Sequence, residues 1–154
     1  MASRRLLPIY TSLARANTRG FATGFRLVVS LVAVPAKDPL GGHPNRVECL
    51  FEDTSDPTHP EAATADQIQQ LLCTVLSVDG PVLVHCQYGQ SRSAAVALGL
   101  ACAGGWAPRE AAVELSGAAE RPGMFYPNML VAKLFDQALG MNGELLREAE
   151  KWQP

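Results

Sequence analysis

An α/β fold with a central, mainly parallel sheet flanked by helices is predicted by three features of the sequence. The run RLVVSLVAV (residues 26–34) is β-branched and continuously apolar, as a strand buried on both faces of a sheet would be. A second such run, PVLVH (residues 81–85), follows Asp79-Gly80, a turn signal. Between and beyond these runs lie segments with apolar residues at helical spacing, and strands alternating with helices indicate a parallel α/β architecture.

The elements follow in order. A short strand lies near Ile9, and helix signals run from Ser12 to Ala22, with Gly20 and Gly24 punctuating the end. After the strand at 26–34 comes a loop holding Pro35, Pro39, Gly41, Gly42 and Pro44, then the alternating run RVECLF (residues 46–51) as a shorter strand. The Pro-rich stretch EDTSDPTHPEAA (residues 52–63) is a second loop. Thr64 is a suitable N-cap for a helix over 65–77, which places Ile68, Leu71, Leu72 and Val75 on one face. Beyond the central strand at 81–85 and a polar loop, SAAVALGLACAGG (residues 93–105) reads as a helix stopped by Gly104 and Gly105. Pro108 suits the first turn of another helix, Pro127 starts one reaching Leu139, and GELLREAEKW (residues 143–152) forms a last amphipathic segment.

Length and composition predict a single domain over residues 1–154, large enough to bury roughly two thirds of its unfolded surface. Charge is uneven. Residues 1–37 carry six basic side chains and no acid, so the net −2 of the chain leaves −8 on the remainder. The Arg- and Ser-rich start resembles a mitochondrial targeting segment, but it runs directly into the strand at 26–34, and the preferred reading is a first strand and helix in a cytoplasmic protein. No apolar run reaches the ~18 residues of a membrane span, so a soluble protein without a membrane partner is expected. Cys49, Cys73, Cys86 and Cys102 stand far apart without a Cys-x-x-Cys pair, and no metal site is predicted. Cys49, Cys73 and Cys102 lie in strand-like or helix-like runs, where a thiol acts as a small hydrophobe.

Cys86 is different. In VLVHCQYGQSRSAAV (residues 82–96) it ends an apolar strand and is followed by a glycine-broken loop and Arg92. Gly89 lets the chain turn tightly and bring backbone N–H groups inward, and the helix beginning near Arg92 adds its N-terminus. Gln87, Tyr88, Gly89, Gln90 and Ser91, with Arg92, are therefore candidate phosphate-binding residues, the guanidinium gripping two oxygens at once. These surroundings favour a thiolate at Cys86, competent to attack phosphorus and form a phosphocysteine. His85, adjacent on the strand and so aimed at the opposite face, is assigned the role of orienting Cys86. Ser93 is assigned to stabilise the departing sulfur, while either Ser91 or Ser93 can also be read as a helix N-cap.

The motif VHCQYGQSRS is similar to the signature loop of cysteine-dependent protein tyrosine phosphatases, in particular their compact dual-specificity group. The resemblance spans nearly the whole chain, from LLPIYTSLARAN to RPGMFYPNMLVAKLFDQAL, whose Arg121, Pro122, Pro127 and Asn128 look like the family's Arg-Pro followed by Pro-Asn. It implies a general acid on a loop some thirty residues before the nucleophile. FEDTSDP offers Asp53 and Asp56. Asp53 is preferred because it directly follows the strand at 46–51, Asp56 before Pro57 being suited to a turn, with Glu52 as an outside candidate. Asn128 is taken as a supporting residue.

The resemblance implies a phosphomonoester hydrolase whose substrate is a phosphorylated protein bearing phosphotyrosine, or phosphoserine or phosphothreonine, in a shallow cleft. The neutral Gln87 and Gln90 stand where lipid-phosphate members carry lysines. No cofactor is called for, since thiolate, guanidinium and carboxyl supply the chemistry. The alternatives are a catalytically weak phosphate-binding module, an RNA 5′-triphosphatase, or another Cys-loop enzyme such as a sulfurtransferase or arsenate reductase. The acidic balance after residue 37 argues against a nucleic-acid partner.

Overall fold

The computed structural model describes residues 6–18, 20–32, 43–121 and 123–154. Among these residues four strands, β1 (Ile9–Ser12), β2 (Leu27–Val32), β3 (Arg46–Leu50) and β4 (Val82–Cys86), form one sheet in the order β1-β4-β2-β3, with every pairing parallel. Among the described residues six helices accompany them: α1 (Leu13–Ala16), α2 (Ala65–Leu76), α3 (Arg92–Ala103), α4 (Pro108–Gly117), α5 (Met129–Leu139) and α6 (Glu144–Lys151). The α/β class and parallel sheet are as the sequence predicts.

The apolar strands are buried on both sides because the sheet has two covered faces. Leu27, Val29, Leu31, Val82, Val84 and Cys86 join the main core with α2 to α6, whereas Val28 and Leu83 meet Ala16 and Ala22 on the other face. The period-2 alternation of β4 therefore sends Cys86 into the large helical layer and His85 to the opposite side. Helix α3 is buried from Arg92 to Ala101 and packs against β4, α4 and α5. Its Gly99 is dictated by that packing: a Cβ there would stand 2.2 Å from the Phe135 ring of α5.

Helix α2 begins at Thr64 as predicted, in a reciprocal capping box with Gln67. One helix length and one helix start differ from expectation. Helix α1 is a single turn, capped by the Ser12 hydroxyl and closed at Asn17, and the predicted helix to Ala22 is replaced by a turn and a 3-10 segment at Ala22–Gly24. Local packing favours the break: Phe21 packs against Phe25 with rings tilted at 44° and centroids 5.9 Å apart, and the Arg15 guanidinium lies 4.7 Å from the Phe21 ring. Helix α5 starts after Asn128, which caps it by accepting from the Val131 N–H at 3.0 Å, so Pro127 precedes the cap instead of occupying the first turn. The last predicted residues of the second strand and most of the following loop fall outside the described residues, as does Pro122. No helix among the described residues is long and apolar enough to cross a membrane.

Candidate active site

The carboxyl end of β4 delivers Cys86 to the base of the loop at residues 87–91, where it is 3% exposed. Its Sγ accepts the Gly89 N–H at 3.3 Å and lies 3.1 Å from Ser93 Oγ in the first turn of α3. The backbone N–H groups of Tyr88, Gln90, Ser91 and Arg92 donate to no protein acceptor among the described residues. Unpaired donors beside a helix N-terminus form a seat for an anion. Tyr88, 68% exposed, stands at the rim.

Gly89 is required twice over. Its φ is +70°, and a Cβ at that position would lie 2.4 Å from Ser12 N and 2.6 Å from Thr11 C. The loop thus rests directly on the end of β1, and the Leu13 N–H donates to Gln87 O at 3.2 Å. That end of β1 is fixed in turn by Glu120. Its carboxylate accepts from Thr11 Oγ1, Ser12 N and Ser12 Oγ at 2.8, 3.0 and 3.1 Å. Burial raises the Glu120 pKa, but the donations from Ser12 and Thr11, with Arg15 adding a little, outweigh it and hold the carboxyl below its usual range.

Arg92 is buried, and its Nη1 donates to Phe51 O at 2.9 Å, which ties the guanidinium to the start of the loop at 52–63. Two residues later, Asp53 Oδ1 accepts from Ser91 Oγ and from Asn128 Nδ2, each at 2.8 Å. Ser91 occupies the N-cap position of α3, yet its hydroxyl makes no cap hydrogen bond and goes to Asp53 instead. Asp56 is spent locally: its Oδ1 accepts from the N–H and hydroxyl of Thr58 at 2.9 and 2.7 Å, and the Thr58 hydroxyl bond is the main reason its pKa is lowered. Asp53 is brought to the Cys86 loop, whereas the hydrogen bonds of Asp56 lie within its own turn. Among the described residues Glu52 bonds through its backbone, its N–H donating to Glu61 O and its carbonyl accepting from Thr54 N–H.

On the far face His85 is wholly buried, with Nε2 2.6 Å from Ser30 Oγ. Burial pushes its pKa down to about 4; the Cys86 backbone opposes that shift and Arg46 adds to it. Tyr10 packs beside the site with its ring 5.7 Å from Phe125, and its hydroxyl is pushed up chiefly by burial and secondarily by Cys86.

Neither a protein-family model nor a curated protein sequence matches this chain. Solved structures do. DUSP15 superposes with a TM-score of 0.68 at 16% identity, over 97% of this chain and 94% of its own. Human DUSP28 gives 0.64 at 20% identity, covering 85% and 88%, and Tk-PTP in its active form gives 0.56 at 21% identity, covering 84% and 86%. The fold is that of the dual-specificity phosphatases.

Within this dual-specificity phosphatase fold Ser91, Asp53 and Asn128 form one hydrogen-bonded group and Cys86 with Ser93 another, while Arg92 is held by Phe51 O. The second-strand serine behind His85, the Phe51 carbonyl that braces Arg92 and the Glu120 anchor of β1 were not singled out from the sequence. Only Ser30 carried a local signal, as the one polar residue in the apolar run LVVSLV, since a buried hydroxyl needs a partner. Cys49 is not positioned to bridge Cys86. Ser30 stands opposite both His85 and Glu48, so the following residues, Cys86 and Cys49, are two strands or about 10 Å apart, beyond the ~7 Å reach of a disulfide. Burial pushes the Cys49 thiol up to about 11. An open cleft of about 550 Å³ at the opposite end of the sheet, lined by Arg26, Asn45, Arg46 and Asp79 among others, contains none of the candidate catalytic residues. Among the described residues no group of His, Cys, Asp and Glu is arranged to hold a metal ion.

Proposed function

We propose that this chain, as one domain, is a cysteine-dependent phosphomonoester hydrolase of cytoplasmic phosphoproteins. The observation that carries the reading is the pair of contacts at Cys86 Sγ, with Gly89 N–H at 3.3 Å and Ser93 Oγ at 3.1 Å, beneath a loop of open amides. Donors of this kind stabilise the negative charge that develops on the sulfur as it leaves phosphorus.

Phosphate oxygens take the N–H groups of Tyr88, Gln90, Ser91 and Arg92 and the Nε and Nη2 edge of Arg92, whose Nη1 is already held by Phe51 O. Cys86 Sγ attacks phosphorus in line. The bond to the ester oxygen breaks as Asp53 gives that oxygen its proton, and both donations to Asp53 fall on Oδ1, leaving Oδ2 to carry it. Asp53, now a carboxylate, takes a proton from water, whose oxygen attacks the phosphocysteine. The sulfur leaves as a thiolate stabilised by Ser93, and inorganic phosphate departs. No metal ion or organic cofactor enters these steps.

Phosphotyrosine is the favoured substrate group, because Tyr88 at the rim offers an exposed ring to an aryl ester; phosphoserine and phosphothreonine are further substrate groups. The test is hydrolysis of p-nitrophenyl phosphate and phosphopeptides by the wild type and Cys86→Ser. The serine variant is expected to lose turnover and keep phosphopeptide binding. Binding without turnover in the wild type would instead assign a phosphate-reading module, and preferential hydrolysis of triphosphorylated RNA ends would assign a different substrate class.

A further inference from the structure

The hydrogen bonds behind Cys86 have a direction, and Arg46 sets it. Ser30 and His85 are both wholly buried, with Ser30 Oγ 2.6 Å from His85 Nε2. The same oxygen lies 3.0 Å from Arg46 Nε, and Arg46 also pairs with Glu48 on β3. A guanidinium can only donate, so Ser30 accepts at that end. Its single proton is then decisive. If Ser30 donates to Nε2, the ring carries its proton on Nδ1, and only that Nδ1–H lacks a well-aligned partner among the described residues. If the ring donates from Nε2, both the Ser30 proton and the Nδ1 lone pair are left unpartnered in the interior. Leaving two buried polar groups unpaired costs more than leaving one, so the first arrangement wins.

We propose that Arg46 is a positioning residue that fixes the Ser30 proton toward His85 and holds the ring as the neutral Nδ1–H tautomer behind Cys86. The geometry is independent of the reaction; the kinetic consequence rests on the proposed role of Cys86 as nucleophile. Without Arg46, Ser30 is free to accept from the ring, and the imidazole can exchange tautomers beside the strand end that carries the sulfur.

The test is ¹⁵N imidazole spectroscopy at neutral pH combined with steady-state kinetics on an aryl phosphate. In the wild type, the His85 signals are expected to show a protonated Nδ1 and a bare Nε2, distinguishable from those of His43 and His59. Arg46→Met is expected to introduce the Nε2–H form and lower kcat roughly five- to tenfold, the scale of one hydrogen bond, with KM changed less than about twofold. Arg46→Lys, whose ammonium can still donate, is expected to restore both in part. An Nε2–H tautomer in the wild type, or one unchanged in Arg46→Met, overturns the proposal, and a moved tautomer with unaltered kcat overturns the positioning role. A wild type without hydrolysis would sink the phosphatase reading while the tautomer measurement still judges Arg46.

Discussion

The Asn128 side chain joins two elements that are remote in sequence: its amide donates to Asp53 Oδ1 at 2.8 Å and to Thr54 O at 3.1 Å, while its carbonyl oxygen caps α5. One residue thereby fixes both a helix start and the carboxyl assigned as proton donor. Replacing Asn128 with Ala should lower stability by about 1 kcal/mol through the lost cap and should reduce kcat more for alkyl than for nitrophenyl phosphates. Unfolding in urea and a leaving-group series measure the two effects.

The acid assignment itself has a sharper outcome. Asp53→Asn should cost roughly 10²- to 10⁴-fold in kcat with poor leaving groups, the usual contribution of a positioned acid. Asp56→Asn should change it less than about twofold, because that carboxylate serves its own turn with Thr58. A silent Asp53→Asn beside a damaging Asp56→Asn would reverse the assignment.

At Gly89 a side chain meets both a positive φ and the backbone of β1. Gly89→Ala should therefore destabilise by about 1–3 kcal/mol from the strained conformation alone, and displacement of the loop should reduce kcat about a hundredfold. Thermal melts and kinetics on the same preparation separate the two losses.

Gly99→Ala tests packing away from the chemistry. The added methyl would press on the Phe135 ring, with an expected cost of about 1–3 kcal/mol. The double variant with Phe135→Leu should recover part of it in urea unfolding.

The pH dependence of His85 has a defined sign. Its folded pKa of about 4 lies below the ordinary 6.5, so the unfolded chain binds the proton more readily. The His85 contribution to stability is complete above pH 6.5, declines as pH falls toward 4, and amounts to a loss on the order of 3 kcal/mol below that. NMR titration of the ring should give a midpoint near 4, and a midpoint near 6.5 would contradict the burial.

The sheet and most helices were legible because their signals are local. A continuous apolar run marks β2 and β4, helical spacing marks α2, and glycines end α3. Helix α1 was overextended because the same periodicity continues past Asn17, whereas the chain is turned by aromatic packing of Phe21 that no window of sequence displays. The Cys86 loop was legible as a spacing of residue types. The contacts of Glu120 with Thr11 and Ser12, and of Arg92 with Phe51, were not, because each joins segments that only the finished fold brings together.

The strand order has a temporal side. Ile9 to Ser12 leave the ribosome before Leu83 to Cys86, the strand they pair with among the described residues. During that interval β1 is an orphan edge with no neighbour in the sheet, and domains generally fold as units as synthesis proceeds. Since Gly89 is wedged against the same strand, the nascent chain can assemble its anion seat only after both ends of this long excursion have emerged.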